Sequence, residues 1–523
     1  MQPSIIKFAT CVALTATLGH IASAQLTWDI TPGIIGTGDS AITSAAGTWD
    51  TVTGNWTADA GINNIGWTNG NNATFGSGTY QVDLDSAGVT VGDLTFGGGV
   101  LTFKGSSLTG SAGDAITVNP GATWDTGGGT ISFFNTNADN NTRLIMASGT
   151  LSVTGGGTLS ASDNPQNNAF GTWDVGTATL DVTEAMSVRG DSLTFGAFDT
   201  IKLVDGSRYV HDRNADRTYV TNWELGAGTV RFDNKHARNY SLSGVISGDG
   251  KFRVENMGGN ALVLLNDGNT YSGGIEIDNA RVQAFTDARL GAVPGSIDAD
   301  NIKVMNGGQL RLGAGGTFNA NRGITIENGA TIEATASSGL TIEGPITGTD
   351  GLTFGRTGQP QPNITLNADS DYTGGTRIFK GLIILGTDEA LGEGLLTIGG
   401  QQSSKLILNE KTQTVDGLAS VSNNTRQLIN KNNGSAATGP AGTLIIDVEE
   451  GVNRNFGAAY GVSSTSNYGN FNTVKNGLGI QRLTKVRVGG SVTVNAGTLQ
   501  LGGDSNGVQI GSASVTAATL NFT

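Results

Sequence analysis

The sequence predicts an all-β protein, a right-handed parallel β-helix with a Trp-rich N-terminal cap. Gly is frequent, at 82 of 523 residues, about twice its usual share. Charged residues make up 14%, well below the usual share of about 25%. Short clusters that alternate apolar and polar residues recur between Gly, Asn and Asp, as in Leu94-Thr95-Phe96 and Ile324-Thr325-Ile326, which is typical of strands with one buried face. The composition excludes helical bundles, collagen and disordered chains.

The first element predicted is an export signal over residues 1–24. Lys7 supplies a positive charge, Phe8 to Leu18 form an apolar stretch, and Ala22-Ser23-Ala24 fits a cleavage site. The apolar stretch is too short to span a bilayer, so we expect it to be removed. The single Cys of the sequence, Cys11, lies inside it, so the mature chain would have no disulfide. We therefore expect a secreted or cell-surface protein.

Residues 25–80 are predicted to form the cap and the first coils. They hold four of the seven Trp residues, at positions 28, 49, 56 and 67. A cap of this kind covers the exposed core and the free strand edge at the end of a solenoid.

Residues 81–420 are predicted to form the rod, because a strand–turn–strand pattern recurs along the chain. The copies cover residues 116–124, 151–159, 302–310, 324–332 and 492–499. Two copies begin 22 residues apart, at Ile302 and Ile324, and a period of 20 to 25 residues with short strands is typical of a solenoid. A Thr-Trp-Asp marker, with a variant at Trp223, recurs at spacings close to multiples of that period. Asn-Gly turns would also suit an antiparallel meander of hairpins, but the period favours the β-helix.

A longer duplication lies within the rod, about residues 241–340 and 341–440. Tyr271-Ser272-Gly273-Gly274 corresponds to Tyr372-Thr373-Gly374-Gly375 at an offset of 101 residues. The unit corresponds to four or five coils copied together, so it belongs to one rod and is not a second domain.

The C-terminal part is predicted to be less regular. Residues 421–482 are rich in Asn, Ser and Gly and are predicted to be a loop-rich interruption, either a flexible excursion or a ligand-binding loop region. Residues 483–523 are predicted to be a further β-helix repeat. A solenoid normally ends in a polar cap, so we expect a truncated sequence that continues beyond residue 523.

The phrase Leu-Asn-(x)4-Tyr-[Ser/Thr]-Gly-Gly occurs at 265–274 and 366–375, and residues 489–502 match the second half of the same unit, without the Tyr. The unit resembles the autotransporter-associated β-strand repeat, also called the passenger-associated transport repeat. The resemblance implies a β-helical surface or extracellular protein of a Gram-negative-type bacterium. Secretion machinery would export it. It also implies that Tyr271, Gly273, Gly274, Tyr372, Gly374 and Gly375 have structural roles, because this repeat has no catalytic residues.

The densest group of ionisable residues lies between 211 and 238, and two interpretations remain open. A polysaccharide hydrolase or lyase would use paired carboxylates or basic groups in such a cluster. Its candidate residues are His211, Asp212, Arg213, Asp216 and Glu224. The alternative is a solvated face whose charges pair with one another, and this interpretation is favoured. The two His residues of the cluster, 25 apart and without Cys, do not suggest a zinc site, so we expect neither a metal nor a cofactor.

The function predicted is therefore that of a structural or adhesive rod without catalysis, with a polysaccharide-active enzyme as the alternative. Expected partners are an extracellular polysaccharide or the surface of a host or neighbouring cell. A nucleic-acid partner is not expected, because the net charge is −14 and such binding needs clustered positive charge. No stretch of the mature sequence is apolar enough for a transmembrane helix.

Overall fold

The protein is an all-β solenoid in a computed structural model, as predicted. Among the described residues, the helical structure consists of one short 3-10 turn, Asp287–Leu290. The structure describes residues 24–522 except 44, 85–87, 106–114, 119–121, 127–129, 135–142, 146–149, 157, 163–171, 175–178, 191–197, 213, 237, 314, 336–338, 359–362, 401–403, 422–426, 430–439, 462–470, 504–506 and 517. The predicted export signal, residues 1–24, thus lies almost wholly outside the described residues. No helix among those described has the length and apolar character to cross a membrane.

Successive strands pass to three faces in turn, and beyond the N-terminal cap they pair in parallel with their counterparts in the next turn. The first face contains Gln25–Gly33, Gly54–Thr57, Asn64–Ile65, Asn72–Phe75, Leu94–Phe96, Thr123–Asp125, Thr150–Thr154, Thr179–Val182, Thr200–Leu203, Asn222–Leu225, Ile246–Gly248, Thr317–Phe318, Gly339–Ile342, Asn363–Leu366, Leu382–Leu385, Lys405–Ile407, Gln427–Ile429 and Ala459–Gly461. The second face contains Gly47–Trp49, Gly78–Leu84, Gly99–Gly105, Thr130–Phe134, Thr158–Ser162, Ser187–Gly190, Arg208–His211, Thr229–Asn234, Lys251–Glu255, Ile275–Asp278, Asp298–Met305, Arg322–Glu327, Ile346–Gly348, Thr412–Val415, Gly442–Ile446 and Phe471–Lys475.

The third face contains Val89–Val91, Ala115–Val118, Arg143–Ile145, Thr172–Asp174, Arg217–Tyr219, Tyr240–Leu242, Ala261–Leu264, Arg281–Ala284, Gly308–Leu312, Ala330–Ala334, Leu352–Phe354, Thr376–Ile378, Leu396–Ile398, Leu418–Ser420, Asn453–Phe456, Ile480–Leu483, Thr498–Leu501 and Thr519–Phe522. Two long strands near the C-terminus, Val486–Val494 and Gln509–Val515, turn a corner and serve both the first and the second face.

The Asn-Gly turns are corners between faces and not hairpins. Ile302 pairs in parallel with Ile324, one turn away, as the 22-residue spacing predicts. At the corners after these strands, Asn306 and Asn328 have φ of 54° and 53°, a left-handed conformation that Asn tolerates better than most residues. The Nδ2 of Asn328 donates to the Oδ1 of Asn306 over 2.9 Å. The corners therefore stack on one another as the strands do.

The core is a set of stacked apolar rows inside the three faces. On the second face, for example, Leu101, Ile131, Leu159 and Val188 succeed one another at one register position and are fully buried. Burying each such side chain contributes roughly 1.5–3 kcal/mol. Alternate residues of the same strands point outward, so the outer rows can vary without changing the core.

The N-terminal cap is antiparallel and holds the predicted Trp cluster. Gln25–Gly33 pairs antiparallel with Gly54–Thr57 and in parallel with Asn72–Phe75, the first strand of the regular stack. The four Trp side chains are at most 2% exposed. Ring centroids of Trp56 lie 5.1 Å from Trp28, 4.9 Å from Trp49 and 4.6 Å from Trp67. The aromatic cluster covers the end of the core, as the sequence predicted.

The Thr-Trp-Asp marker does not mark a fixed position in the turn, contrary to the expectation. Trp124 lies on the first face, whereas Trp173 pairs with Leu144 on the third. The physical reason is turn length. Stacked residues on the second face are 30 apart between Leu101 and Ile131 but 21 apart between Val188 and Tyr209, so spacings in the sequence do not count whole turns.

Strands of the solenoid lie within the range 421–482 that was predicted to be a loop-rich interruption, and residues 422–426, 430–439 and 462–470 of that range lie outside the described residues. Gly442–Ile446 and Phe471–Lys475 extend the second face, and Asn453–Phe456 and Ile480–Leu483 extend the third. These strands, of four or five residues each, escaped prediction because they are set in Asn- and Gly-rich sequence. The described strands of this range thus continue the faces of the solenoid.

The two copies of the duplication lie on neighbouring faces. Ile246–Gly248 belongs to the first face, but its counterpart Ile346–Gly348 belongs to the second. Lys251–Glu255 of the second face likewise corresponds to Leu352–Phe354 of the third. The strand Ile346–Gly348 is the fifth on the second face after Ile246, so one copy of about 100 residues makes four and one-third turns.

Candidate functional site

The charged cluster between residues 211 and 238 lies at the corner between the second and third faces. His211 and Asn234 pair at the ends of adjacent second-face strands, so the corner residues just after them stack as well. The backbone N–H of Lys235 donates to the carbonyl oxygen of His211 over 3.1 Å. Residues separated by about 23 positions in sequence therefore meet in space.

Asp212 is the charged centre of this corner. Its carboxylate is 5% exposed and lies 2.8 Å from Arg189 Nη2, 2.8 Å from Lys235 Nζ and 3.0 Å from His236 Nε2. Burial alone would raise the pKa of Asp212, but the hydrogen bond and charge of Lys235, with the charge of Arg189, hold the pKa below its usual value. Asp212 is therefore an ionised group neutralised from several sides.

His211 points into the core and not toward Asp212. The residue is fully buried, its Nδ1 lies 2.7 Å from the hydroxyl of Tyr219, and its Nε2 lies 3.2 Å from the carbonyl oxygen of Ala215. Its ring stacks on Tyr240 at a centroid distance of 5.1 Å. Tyr209 donates to the Tyr219 hydroxyl over 2.7 Å. His211 belongs to an internal polar network, which satisfies hydrogen-bonding groups that burial would otherwise leave unpaired.

The other candidate residues are dispersed. Asp216 is exposed, and its carboxylate accepts hydrogen bonds from the backbone and side chain of Asn239 at 3.0 and 3.1 Å. Glu224 lies on the first face, where it is 3.2 Å from Lys202 Nζ. Arg213 lies outside the described residues. The structure therefore brings His211 and Asp212 to one corner but directs them apart, and it places Glu224 on a different face.

A groove of about 480 Å³ runs beside this corner on the second face. Its lining includes Thr158, Ser187, Arg189, Arg208, Asp233 and Lys235. Residues 158, 187 and 208 occupy one outward row in three consecutive turns, so the groove runs along the axis of the rod. The groove could not be recognised in the sequence, because the residues that line it come from several turns.

The groove carries an excess of hydrogen-bond donors. Asp233 is 2% exposed, forms an ion pair with Arg208, and accepts the backbone N–H of Asn234 over 2.6 Å. The Nε–H groups of Arg189 and Arg208 are shielded from solvent, and no described residue offers them an acceptor. The arrangement can hold an anionic group. In the described part of the chain, no set of three His, Cys, Asp or Glu residues is placed to hold a metal ion.

Further along the same face, the cations are matched by carboxylates. Arg253 contacts Glu255 over 3.2 Å, Glu276 over 3.4 Å, and Asp278. Lys303 contacts Glu327 over 2.7 Å. This ion-pair ladder is the arrangement of paired charges that the sequence favoured for the 211–238 cluster.

A buried carboxylate on the third face is much less well matched. Glu333 is 1% exposed, and neither carboxylate oxygen has a hydrogen-bond partner among the described residues. The nearest cation is Arg356, whose Nη1 lies 3.9 Å from Oε1. Burial raises the pKa of Glu333, while Arg356, Arg281 and Arg311 oppose the rise.

Tyr271 and Tyr372 of the repeat are fully buried at equivalent places in the two copies. The Tyr372 hydroxyl lies 2.6 Å from Thr376 Oγ1, and burial raises the pKa of Tyr372 to about 12. Each ring packs against a Gly of the next turn: a Cβ on Gly291 would lie 2.9 Å from the Tyr271 ring, and one on Gly392 would lie 2.6 Å from the Tyr372 ring.

The two glycines of each repeat segment lie at crowded or strained positions of the backbone. Cβ atoms on Gly273 and Gly374 would collide with the backbone of Gly250 and Asp350. Gly274 and Gly375 have φ of 76° and 83°, a conformation that favours Gly.

Arg322 is a buried structural residue that no motif in the sequence singles out. Its Nε lies 2.8 Å from Asp287 Oδ1, and its Nη2 donates to the carbonyl oxygen of Gly291 over 2.7 Å. Its Nη1 donates to Asn301 Oδ1 over 2.9 Å. These bonds tie the 3-10 turn Asp287–Leu290 to the next coil.

More than half of the chain is similar to part of a protein named as an adhesin autotransporter. It is 27% identical over 346 aligned residues to a protein named adhesin BmaC autotransporter from Brucella suis biovar 1 (strain 1330). The alignment covers 57% of this chain and 10% of that protein, so the chain spans about a tenth of the length of the relative it matches. No family model matches the chain, and no solved structure matches it.

Proposed function

We propose that the chain is part of an exported, autotransporter passenger-like protein that acts as an adhesive rod on the cell surface or outside the cell. The observation that carries the proposal is the similarity to the adhesin autotransporter over 57% of the chain, in a chain that folds as a parallel solenoid. A solenoid places many outward rows along one axis, and repeated weak contacts along such an axis add up to strong attachment.

The proposal includes the finer resemblance to the autotransporter-associated β-strand repeat. The two Tyr-(Ser/Thr)-Gly-Gly segments begin at Tyr271 and Tyr372, which are both buried at equivalent places of the two copies. Their role would be to pack the coils, which agrees with a repeat that serves folding and secretion. The outward rows would then carry the adhesive contacts.

The rod would act by binding and not by catalysis. Hydrolysis of a glycosidic bond needs two carboxyl groups about 5–9.5 Å apart on either side of the bond. Asp212 contacts Arg189, Lys235 and His236, and Glu224 lies on another face from Asp212 and Asp216. These observations support a binding role for the cluster.

Adhesion can be tested with beads that carry residues 25–523. Under flow, coated beads should remain on surfaces bearing cells or extracellular polysaccharide, and beads coated with the unfolded chain should not. Equal retention of the two would contradict the adhesive function. Export can be tested by expressing residues 1–523 in a Gram-negative host and measuring whether external protease digests the protein in intact cells. Complete protection would contradict the proposed location.

The absence of catalysis is tested separately by release of reducing ends or unsaturated products from neutral and acidic polysaccharides. We expect no turnover. Turnover by the wild-type protein that disappears in Asp212→Asn or Asp216→Asn would establish the enzyme instead.

A further inference from the structure

We propose that the second-face groove beside Asp212 binds an acidic polysaccharide, one that carries carboxylate or sulfate groups along a linear chain. The inference rests on the proposed adhesive function and names the class of ligand for it. The groove is defined by Thr158, Ser187, Arg189, Arg208, Asp233 and Lys235.

The shape of the groove suits a linear polymer. Thr158, Ser187 and Arg208 succeed one another in consecutive turns of one outward row, and neighbouring strands are about 4.8 Å apart. A chain that lies in the groove would therefore run along the rod and meet a new coil at each step. The volume of about 480 Å³ is within the range of sites that bury a small ligand or a short segment of a longer one.

The charge of the groove calls for an anionic ligand. Arg189, Arg208 and Lys235 line it, and Arg231 comes after Arg208 in the same row. Among the described residues, two carboxylates, Asp212 and Asp233, lie against three of these four cations, Arg189, Lys235 and Arg208. Arg231 donates to the carbonyl oxygen of Gly206 over 3.3 Å, and no described carboxylate lies within ion-pair distance of it. The groove and its rim thus keep a positive excess in a protein whose net charge is −14.

The neighbouring coils show what a fully matched surface looks like. One turn beyond Arg231, Arg253 contacts three carboxylates, and two turns further, Lys303 contacts Glu327. Both lie in the same outward row as Arg208 and Arg231. Among the described residues of this row, the charge excess therefore lies in the coils that form the groove.

A polysaccharide fits this surface better than a nucleic acid. Residues 25–186, which run up to and include the Thr158 end of the groove, hold 14 acidic and 2 basic residues, and a duplex with one charge per ~1.7 Å would be strongly repelled there. Acidic polysaccharides are less densely charged than duplex DNA, with about one charge per sugar. Their hydroxyl groups can hydrogen-bond to the Thr158 and Ser187 side chains.

Binding should be measured by calorimetry on residues 25–523 with polygalacturonate and with chondroitin sulfate, which separate the carboxylate from the sulfate source. Fully methyl-esterified polygalacturonate is the neutral control, and duplex DNA is the competing polyanion. We expect at least one acidic polysaccharide to bind, its affinity to fall as salt rises, and the ester and DNA to bind at least tenfold more weakly. Failure of both acidic polysaccharides to bind, or equal binding of the ester or of DNA, would overturn the proposal.

Two variants locate the site. Arg189→Gln with Lys235→Gln removes two cations, and Thr158→Asp adds a negative charge while leaving every ion pair in place. Each should weaken binding of the acidic polymer at least tenfold. Lys303→Gln, an ion-paired cation of the same face outside the groove, is the matched control and should change the affinity less than twofold. Equal affinity of wild type and Thr158→Asp, with an unchanged unfolding transition, contradicts the groove.

The same variants separate this proposal from the adhesive function. If bead retention persists while Thr158→Asp binds the polymer as wild type does, the groove assignment fails and the adhesive rod stands. If wild-type beads are not retained but the polymer binds in a groove-dependent way, the adhesive function fails and the groove stands.

Discussion

Two stretches of the rod share one backbone architecture but differ in the chemistry of their outer surface. Residues 25–186 hold 14 acidic and 2 basic residues, whereas residues 187–356 hold 19 acidic and 16 basic ones. The ion pairs that join two described residues all lie in the second stretch, between Arg189 and Arg356.

One outward row of the second face passes through both stretches and shows the change directly. It contains, in order of turns, Thr79, Val100, Thr130, Thr158, Ser187, Arg208, Arg231, Arg253, Glu276, Lys303, Thr325 and Thr347. The ladder hydrogen bonds and the inward rows are alike on either side of Ser187. The lesson is that a parallel solenoid separates stability, which lies in the ladder and the core, from surface chemistry, which each coil can change independently.

The largest effect is expected in the first stretch, residues 25–186, which is acidic and has few cations. Trp56→Ala should lower the free energy of unfolding by about 3–5 kcal/mol, because it empties the centre of the Trp cluster. Denaturant unfolding monitored by Trp fluorescence measures the loss, and Trp56→Phe, which keeps a ring, should lose less than half as much. The loss should be independent of salt. A loss that shrinks in 1 M salt would mean that charge, and not packing, stabilises this stretch.

The next effect is expected at the buried cation of the charged stretch. Arg322→Ala should cost about 3 kcal/mol, because the Asp287 carboxylate and four backbone carbonyls lose their shared donor. Hydrogen exchange should increase at residues 287–301 before it increases at the cap. Arg322→Lys keeps the charge but not the planar set of donors, and it should recover only part of the loss. Full recovery would show that charge alone matters here.

Asp212→Asn should cost about 2 kcal/mol at neutral pH, because Arg189, Lys235 and His236 lose their carboxylate. The folded-state pKa of Asp212 is lowered, so its stabilisation is present above the unfolded-state pKa of about 3.9 and is lost as the pH falls through the folded-state pKa. Unfolding measured from pH 3 to 7 should show the two proteins converge at the acid end. A constant difference across this range would contradict the ionised centre.

Glu333→Gln should act in the opposite direction and raise stability by about 1 kcal/mol at neutral pH. Burial raises the folded-state pKa of Glu333, so the wild-type protein loses stability as the pH rises above the unfolded-state pKa of about 4.3. The advantage of the variant should therefore vanish below pH 4 and grow above it. A destabilised variant at pH 7 would mean that Glu333 is well paired with Arg356, and that the charged stretch is matched throughout.

The fold could be predicted because its signals are local. Alternation in clusters such as Ile324-Thr325-Ile326 identifies strands, and Asn-Gly at the ends identifies corners, and both depend on neighbours in sequence. Within 421–482, strands such as Gly442–Ile446 and Phe471–Lys475 were not predicted, because Asn-, Ser- and Gly-rich sequence surrounds them. The Thr-Trp-Asp marker failed because the length of each turn is set by its corners, which a fixed period does not capture.

The groove and the buried polar residues could not be predicted for a different reason. Their partners lie a full turn or more away: Arg189 meets Asp212 23 positions later, and Arg322 meets Asp287 35 positions earlier. Gln413 is a similar case, since its side-chain amide pairs with both the N–H and the C=O of Leu391, as a neighbouring strand would. Which residues meet at this range depends on turn lengths that the sequence does not state.

The duplicated unit makes four and one-third turns, and the extra third of a turn affects how such a rod can lengthen. Adding one unit of about 100 residues shifts every later coil along the axis of the rod. It also rotates each of these coils about that axis by one face. A binding row downstream would then point to a new side, and only a third added unit would return it to its first direction. Growth by duplication therefore distributes equivalent surfaces around the axis of the rod. A rod built this way presents its binding surfaces in several directions and not along one edge.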